Sequence, residues 1–384
     1  MKKEKRILIL VNYLSFFLSH RLPIAEALLA KGFEVFIGYG ELRGADPKLL
    51  EQRGYKVDLV PMQPAGFNLF SELKTLYCIW ALFKKVKPDI VHLITIKPYL
   101  YGGIISRLIG VRCLVSAVSG LGTLFIKKDF KSKLLRFLIY PLYKLAFNHP
   151  NQKIILQNKD DLKVLINWGV LNLSKIKLLK GSGVQLEKFN DFDEPSGITT
   201  ICFAARLLRD KGVFEYISAG RILKERGIKA RFLLAGDLDK NNPSGLSVDD
   251  LNKLKDISYI EFLGYHKDIP KLYAKSHIIC LPSYREGFPK SLIEAAAAKR
   301  AVVTTDVPGC RDAIIPNKTG LLVPAKNSQK LADALQWLIE NPQKRITMGA
   351  AGRVLAEEEF PIEKIVIDHL SIYQDLLSNK LKSN

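Results

Sequence analysis

The chain has 384 residues, 48% of them hydrophobic and 25% charged, which excludes a disordered chain and suits two domains better than one core. Its formal charge of +20 is uneven: residues 1–190 carry 30 Lys and Arg against 13 Asp and Glu, so one half holds nearly all the excess and calls for a polyanionic partner. The five cysteines (78, 113, 202, 280 and 310) match no metal or disulfide spacing and read as small core residues in a reducing compartment.

The N-terminal MKKEKRILILVNYLSFFLSH has the basic start and apolar run of a signal peptide. However, Asn12 and Ser15 interrupt the run, no small-residue cleavage site follows, and HRLPIAEALLAKG continues as an amphipathic helix opened by His20 and Arg21. A buried first strand is therefore expected. No apolar run reaches the ~18 residues of a spanning helix, and a cytoplasmic location is expected. RILILVNY precedes the helical PIAEALLAKG, FEVFIGYG precedes DPKLLEQRG, and DIVHLITI precedes YGGIISRLIG. RCLVSAVS follows, then KIILQN with DDLKVLINWG. The pattern restarts at TTICFAA with VFEYISAGRILKERG, and continues through ARFLLAG, YIEFLGY, IICLPSY with its helix, AVVTTD and GLLVPA. Strands alternating with helices predict parallel sheets covered on both faces, here an α/β chain of two Rossmann-like domains facing a central cleft. GSGVQLEKFNDFDEPSG, residues 181–197, is the candidate boundary, giving domains of 1–185 and 186–384. The tail FPIEKIVIDHLSIYQDLL predicts a docked helix after Pro361, and packing back on the first domain is one place for it.

Open parallel sheets bind ligands beyond the carboxyl ends of their strands, so the loops after TTICFAA, ARFLLAG and IICLPSY carry the chemistry. In SYREGFPKSLIEAAA, residues 283–297, Gly287 permits a sharp turn and Pro289 suits a first helical turn. The N–H groups near Phe288, Lys290 and Ser291 then make a phosphate cradle at a helix N-terminus. Glu286 stands before that turn, where a carboxylate can accept from sugar hydroxyls, and Glu294 lies about a turn and a half into the helix, able to reach a ribose diol. Taken alone, two acids at this spacing favour the plain reading, a helix with an acidic cap and a solvated glutamate. RLLRDKGV adds Arg206 and Lys211 at the same edge, a bidentate guanidinium and a mobile ammonium. Together they could neutralise a departing nucleoside diphosphate without a metal.

RLLRDKG, LLAGD, FLGY, LPSYREGFPKSLIEAAA, VTTDVPGCRDAI and GLLVPA, in this order, resemble the donor half of retaining GT-B glycosyltransferases of family 4. The resemblance spans essentially the whole chain. It implies that Glu286 contacts the donor sugar, Glu294 the ribose, and Arg206 and Lys211 the diphosphate, with the backbone from Gly287 to Ser291 completing the cradle. It implies retention of configuration with a nucleotide-sugar donor, most simply UDP-linked; no metal cluster is visible in the sequence, so no metal and no cofactor beyond that donor are expected. Gly183 matches a family position at the interdomain crossing. Lys299 and Arg300 stand where relatives often carry a small residue, a helix-exit detail.

ITIKPYLYG, SGLGTLF and LQNKDD resemble a bacterial branch of the family that extends sugars on polyprenyl diphosphate in surface-polysaccharide or protein-glycan assembly. Lys97, Gly120 and Gly122 would then meet the acceptor or the donor phosphate, and His20 is a candidate proton acceptor or anion contact; a strand-end lysine, turn glycines and a solvated helix start are the plain readings. The loop NYLSFFLSH lacks the glycine pair of many relatives, and AVSGLGT lacks a histidine used in the wider family. Residues 127–147, KKDFKSKLLRFLIYPLYKLAF, set six cations among Phe, Leu, Ile and Tyr, a pattern for an anionic membrane surface on the inner face of the cell membrane, against a core helix with solvated lysines. Nucleic acid is the rival polyanion, but no RNA- or DNA-binding motif is present. The expected activity is transfer of an N-acetylhexosamine or hexose to a lipid-linked saccharide; a nucleotide-sugar epimerase of the same architecture is the nearest enzymatic alternative.

Overall fold

The computed structural model describes residues 4–62, 68–122, 125, 129–189, 193–239 and 242–379. The chain divides into two compact units, one running to Ser182 and resuming at Glu363, the other spanning Gly183–Ile362.

The first unit is built on strands β1 (Arg6–Tyr13), β2 (Glu34–Glu41), β3 (Lys56–Leu59), β4 (Ile90–Ile94), β5 (Cys113–Val118), β6 (Gln152–Leu156) and β7 (Ile176–Leu178). They pair in the order β3-β2-β1-β4-β5-β6-β7, all parallel. Because side chains alternate across a strand, Leu8, Leu10, Val91 and Leu93 enter one core, and Ile7, Ile9, Val11, Ile90 and Ile94 enter the other. The edge strands β3 and β7 escape the sequence pattern because each is only three or four residues long, with charged side chains on exposed positions.

Two local results differ from expectation. NYLSFFLSH is not a loop: Leu14–His20 is helical, burying Leu14 and Phe17 three apart, so His20 closes a helix instead of opening one. Arg21, at the junction with the next helix Leu22–Ala30, is buried. In addition, Leu69–Val86 forms an 18-residue helix capped by Asn68, whose side chain accepts from the Ser71 N–H at 3.3 Å.

The terminal helix Ile362–Ser378 docks on the first unit, burying Ile372, Tyr373 and Leu376 in the core that also holds Phe17 and Ile9. Each such side chain contributes roughly 1.5–3 kcal/mol. Its end is held by polar contacts: the Leu376 carbonyl accepts from Asn151 Nδ2 at 2.9 Å, and the Leu377 carbonyl from Arg112 at 2.8 Å.

The second unit carries β8 (Thr200–Ala204), β9 (Arg231–Ala235), β10 (Ile260–Gly264), β11 (Ile278–Leu281), β12 (Ala301–Thr305) and β13 (Gly320–Val323). Their order is β10-β9-β8-β11-β12-β13, again all parallel. Both sheets therefore reverse strand order beside their first strand, at β1/β4 and at β8/β11. At such a switch point the loops leaving the two strands diverge and open a crevice. The unit begins at Gly183, with φ +76°, and Val184 then donates to the Phe360 carbonyl at 2.9 Å.

Candidate active site

In the second unit the strand-order switch sets the loops that leave β8 and β11 beside each other. From β8 the chain passes Arg206 and tightens into a helical turn, Arg209–Lys211. Gly212 follows with φ +76°, its α-carbon packed so closely on the Pro282 carbonyl that a Cβ there would overlap it. From β11 come Pro282, Ser283 and Tyr284. The Tyr284 N–H donates to the Asp210 carbonyl at 2.8 Å, and its hydroxyl donates to Glu215 at 2.7 Å. The two loops are thus joined through backbone and side chain alike.

This juxtaposition pairs Lys211 with Glu286, 75 positions later. The Lys211 ammonium and the Ser283 hydroxyl, the latter at 2.7 Å, both donate to Glu286 Oε1. The pair is sheltered but not sealed, with 19% of the lysine side chain and 11% of the glutamate side chain exposed. Arg206 pairs instead with Asp239, on the loop after β9, at 2.7 Å; Asp239 is 4% exposed while half of the arginine side chain faces solvent. A buried carboxylate thus anchors the guanidinium and leaves much of it available to an anion.

The Gly287 corner leads into the helix Lys290–Ala297. Pro289 is its N-cap, with φ −73° and ψ 121°, and not its first helical residue, because the extended ψ places the helix start one position later. Among the described residues no side chain caps this end, and no acid sits in the helix's first turn, where the positive pole favours an anion. Phe288 turns inward and meets the Phe360 ring edge-on at 5.6 Å, so this side chain packs into the unit's core. Through Phe360 the corner connects to Val184 and hence to Gly183. Glu294 lies 3.4 Å from the Lys290 ammonium with 14% of its side chain exposed. Burial pushes its carboxyl above the ordinary value, and Lys290 pulls against that shift.

Sequence reasoning overlooked several residues on which this geometry depends: Ser283, Asp239, Gly212 and Gly309. Gly309 has φ +79°, and a Cβ on it would stand 2.6 Å from the Glu286 carbonyl oxygen and 2.7 Å from that of Gly287. The Pro-Gly dipeptide in VTTDVPGC marks a turn, but nothing in the sequence says what the turn lies against. Lys299 occupies the left-handed region at φ +56° as its helix ends, and Arg300 is buried, donating to the Tyr273 carbonyl at 2.9 Å and to that of Asp193 at 2.8 Å. Both are structural, as the helix-exit reading anticipates.

In the first unit, Lys97 follows β4 beyond Thr95, whose φ of +75° is strained for a β-branched residue. Lys97 is no free strand-end cation: it pairs with Glu72, a buried carboxylate on the helix Leu69–Val86 that also accepts from the Tyr101 hydroxyl at 2.7 Å. Gly120 and Gly122, after β5, have φ of +113° and +68°, a conformation their positions require. His20 stacks on Phe16 with ring centroids 4.1 Å apart, its Nδ1 2.6 Å from the Ser19 hydroxyl. Among the described residues, no group of three His, Cys, Asp or Glu is placed to hold a metal ion.

Two family models match the chain, "Glycosyl transferase 4-like" over residues 6–158 and "Glycosyl transferases group 1" over 184–354. The N,N'-diacetylbacillosaminyl-diphospho-undecaprenol alpha-1,3-N-acetylgalactosaminyltransferase of Campylobacter jejuni is 30% identical over 94% of this chain and 99% of its own. The chain belongs to the family 4 glycosyltransferases. The UDP-Gal:alpha-D-GlcNAc-diphosphoundecaprenol alpha-1,3-galactosyltransferase of Escherichia coli is 26% identical over 84% of both chains. A glycosyltransferase structure from Rickettsia africae superposes with a TM-score of 0.76 over 98% of this chain and 100% of its own, at 20% identity, and shares the GT-B fold. This glycosyltransferase therefore carries its Lys211–Glu286 pair in the half that matches the group 1 model, and its Lys97–Glu72 pair in the half that matches the 4-like model.

Proposed function

We propose that this glycosyltransferase moves a sugar, an N-acetylhexosamine before a hexose, from a UDP-sugar to an undecaprenyl-diphosphate-linked saccharide with retention of configuration. The observation that carries the reading is the Lys211–Glu286–Ser283 constellation at a strand-order switch, one turn from an uncapped helix end. The acceptor class and the two sugar types are those named for the Campylobacter and Escherichia relatives.

In this reading the Glu286 carboxylate accepts from donor-sugar hydroxyls, and its lysine and serine partners hold it oriented. Arg206, Lys211 and the amides from Gly287 to Ser291 face the diphosphate, and Glu294 accepts from the ribose. Reaction breaks the bond from the anomeric carbon to the diphosphate oxygen and forms one to the acceptor hydroxyl oxygen. The electron pair stays with the departing nucleoside diphosphate, which takes up the hydroxyl proton on the same face of the sugar. Two cations and a helix pole stabilise that growing negative charge in place of a metal. Lys97, Gly120 and Gly122 lie on the acceptor side.

The acceptor's lipid places the enzyme peripherally on the inner face of the membrane. No described helix is long and apolar enough to cross a membrane. The helix Phe130–Ala146, however, turns Phe130, Leu134, Phe137 and Leu138 outward to solvent, which favours a docking helix over a core helix with solvated lysines. Lys127 and Lys128 of the basic segment lie outside the described residues.

Incubation with a panel of UDP- and GDP-sugars and lipid-linked saccharides, followed by mass spectrometry of the lipid fraction, tests the assignment. The expected result is a mass gain of one sugar residue from one UDP-sugar, dependent on acceptor and unaffected by EDTA. Donor conversion without acceptor would instead indicate an epimerase.

A further inference from the structure

We propose that a second helix, Leu69–Val86, forms with Phe130–Ala146 a single membrane-docking platform and inserts an aromatic edge of its own into the interface of an anionic bilayer. The inference rests on the membrane reading above, and assigns a surface that the basic segment at 127–147 does not include.

Phe70, Leu73, Tyr77 and Trp80 recur at spacings of three and four, so they share one face of this helix. That face points outward: Phe70 is 84% exposed and Tyr77 65%. The opposite face already fills the core with Ile79, Leu82, Phe83 and Val86. A helix apolar on both sides is satisfied on one side only, and this outer patch needs a cover.

The two helices lie in the same layer. Both contribute to one core, together with Tyr99 and Ile105 from the segment between them. Each begins after a strand's carboxyl end and runs back to the start of the next strand, one from β3 to β4 and the other from β5 to β6. Their first turns, with Phe70 and Phe130, therefore lie at the sheet edge that also carries Lys97, Gly120 and Gly122. A bilayer touching both helices would present a lipid-borne diphosphate at that edge.

Charge selects the occupant. The helix Leu69–Val86 exposes Lys74 and Lys84, with Lys85 paired to Asp58 at 2.5 Å, and its only acid, Glu72, is buried against Lys97. The helix Phe130–Ala146 contains no acid. A second copy of the chain would set this cationic face against itself, whereas anionic headgroups complement it, and Tyr and Trp beside lysines suit an interface where one end is wet.

The test is co-sedimentation of the full chain with vesicles of phosphatidylglycerol and phosphatidylcholine, and of phosphatidylcholine alone. It compares the parent with a Phe70→Ser, Trp80→Ser variant and a Phe137→Ser, Leu138→Ser variant. Each double variant is expected to keep the parent's circular dichroism melt and to lose at least tenfold in binding to the anionic vesicles. Turnover of a short-chain, water-soluble acceptor should stay within twofold. Parent-like binding by the Phe70, Trp80 variant overturns the inference. If only the Phe137, Leu138 variant loses binding, the single-helix reading stands without it; if neither does, both fall. Conversion of a dimeric parent to a monomer, with vesicle binding unchanged, would show that the face meets a second copy.

Discussion

Gly309→Ala would test whether the site's backbone is held from behind. The added methyl carbon would lie 2.6 Å from the Glu286 carbonyl oxygen, 2.7 Å from the Glu286 carbonyl carbon and 2.7 Å from the Gly287 oxygen. All three are backbone atoms, so no flexible side chain can swing away. To reach ordinary contact the Glu286–Gly287 segment must retreat by about 0.8 Å, and alanine's left-handed φ adds roughly 1 kcal/mol of strain. A displacement near 1 Å at groups that position a substrate costs up to about 10²-fold in rate. Gly227→Ala is the internal control: it has φ +73° in the same unit, with nothing within 4 Å of its Cβ position. Thermal melts should show both variants destabilised, Gly309→Ala by about 2–4 kcal/mol and Gly227→Ala by about 1 kcal/mol. In steady-state assays kcat/KM should fall by one to two orders of magnitude for Gly309→Ala only. Equal stability losses with parental turnover in both would refute the claim that Gly309 sets the position of Glu286.

Glu286→Gln keeps an amide oxygen to accept from Lys211 and Ser283 but removes the negative charge and turns the second oxygen into a donor; turnover should drop by about 10²–10³ while the fold is retained, and a near-parental rate would exclude Glu286 from the chemistry. Glu294→Gln relieves a buried charge, so stability at neutral pH should hold or rise while the donor KM rises about tenfold at constant kcat; a fall in kcat instead would move Glu294 to the reacting centre. His369, pushed down to about 3 by burial, and His92, also held below its ordinary value, stay neutral when folded but take up protons near 6.5 when unfolded. The unfolded state thus binds more protons, and stability is full above about pH 6.5 and falls on acidification by about 1.4 kcal/mol per pH unit for each histidine. Urea midpoints measured from pH 7 to 5.5 should show this slope, reduced in a His369→Gln variant; a flat profile would rule it out.

The architecture was legible because buried parallel strands write themselves as continuous apolar runs, and eleven of the thirteen strands among the described residues did so. The missing edge strands, β3 and β7, are too short and too charged to carry such a signal. The helix Leu69–Val86 was overlooked although Asn68 caps it, because an apolar pattern does not reveal which of its faces points inward. The place of His20 is hidden for a related reason: a short amphipathic stretch between a strand and a longer helix reads as a loop until Phe17 is seen to be buried.

The residue types of the candidate site, the two-unit α/β organisation and the excess charge of the first half were properties of the linear order itself. They depend on local periodicity and on motifs only a few positions long. Which carboxylate each cation meets was decided by the tertiary structure alone: Lys211 with Glu286, Arg206 with Asp239 and Lys97 with Glu72 are separated by 75, 33 and 25 positions. The same holds for Gly309 pressing on Glu286 and for the outward turn of Phe70 and Phe137. Such pairings arise when the sheets bring distant loops to one edge, and contacts across that edge leave no periodic trace in the chain.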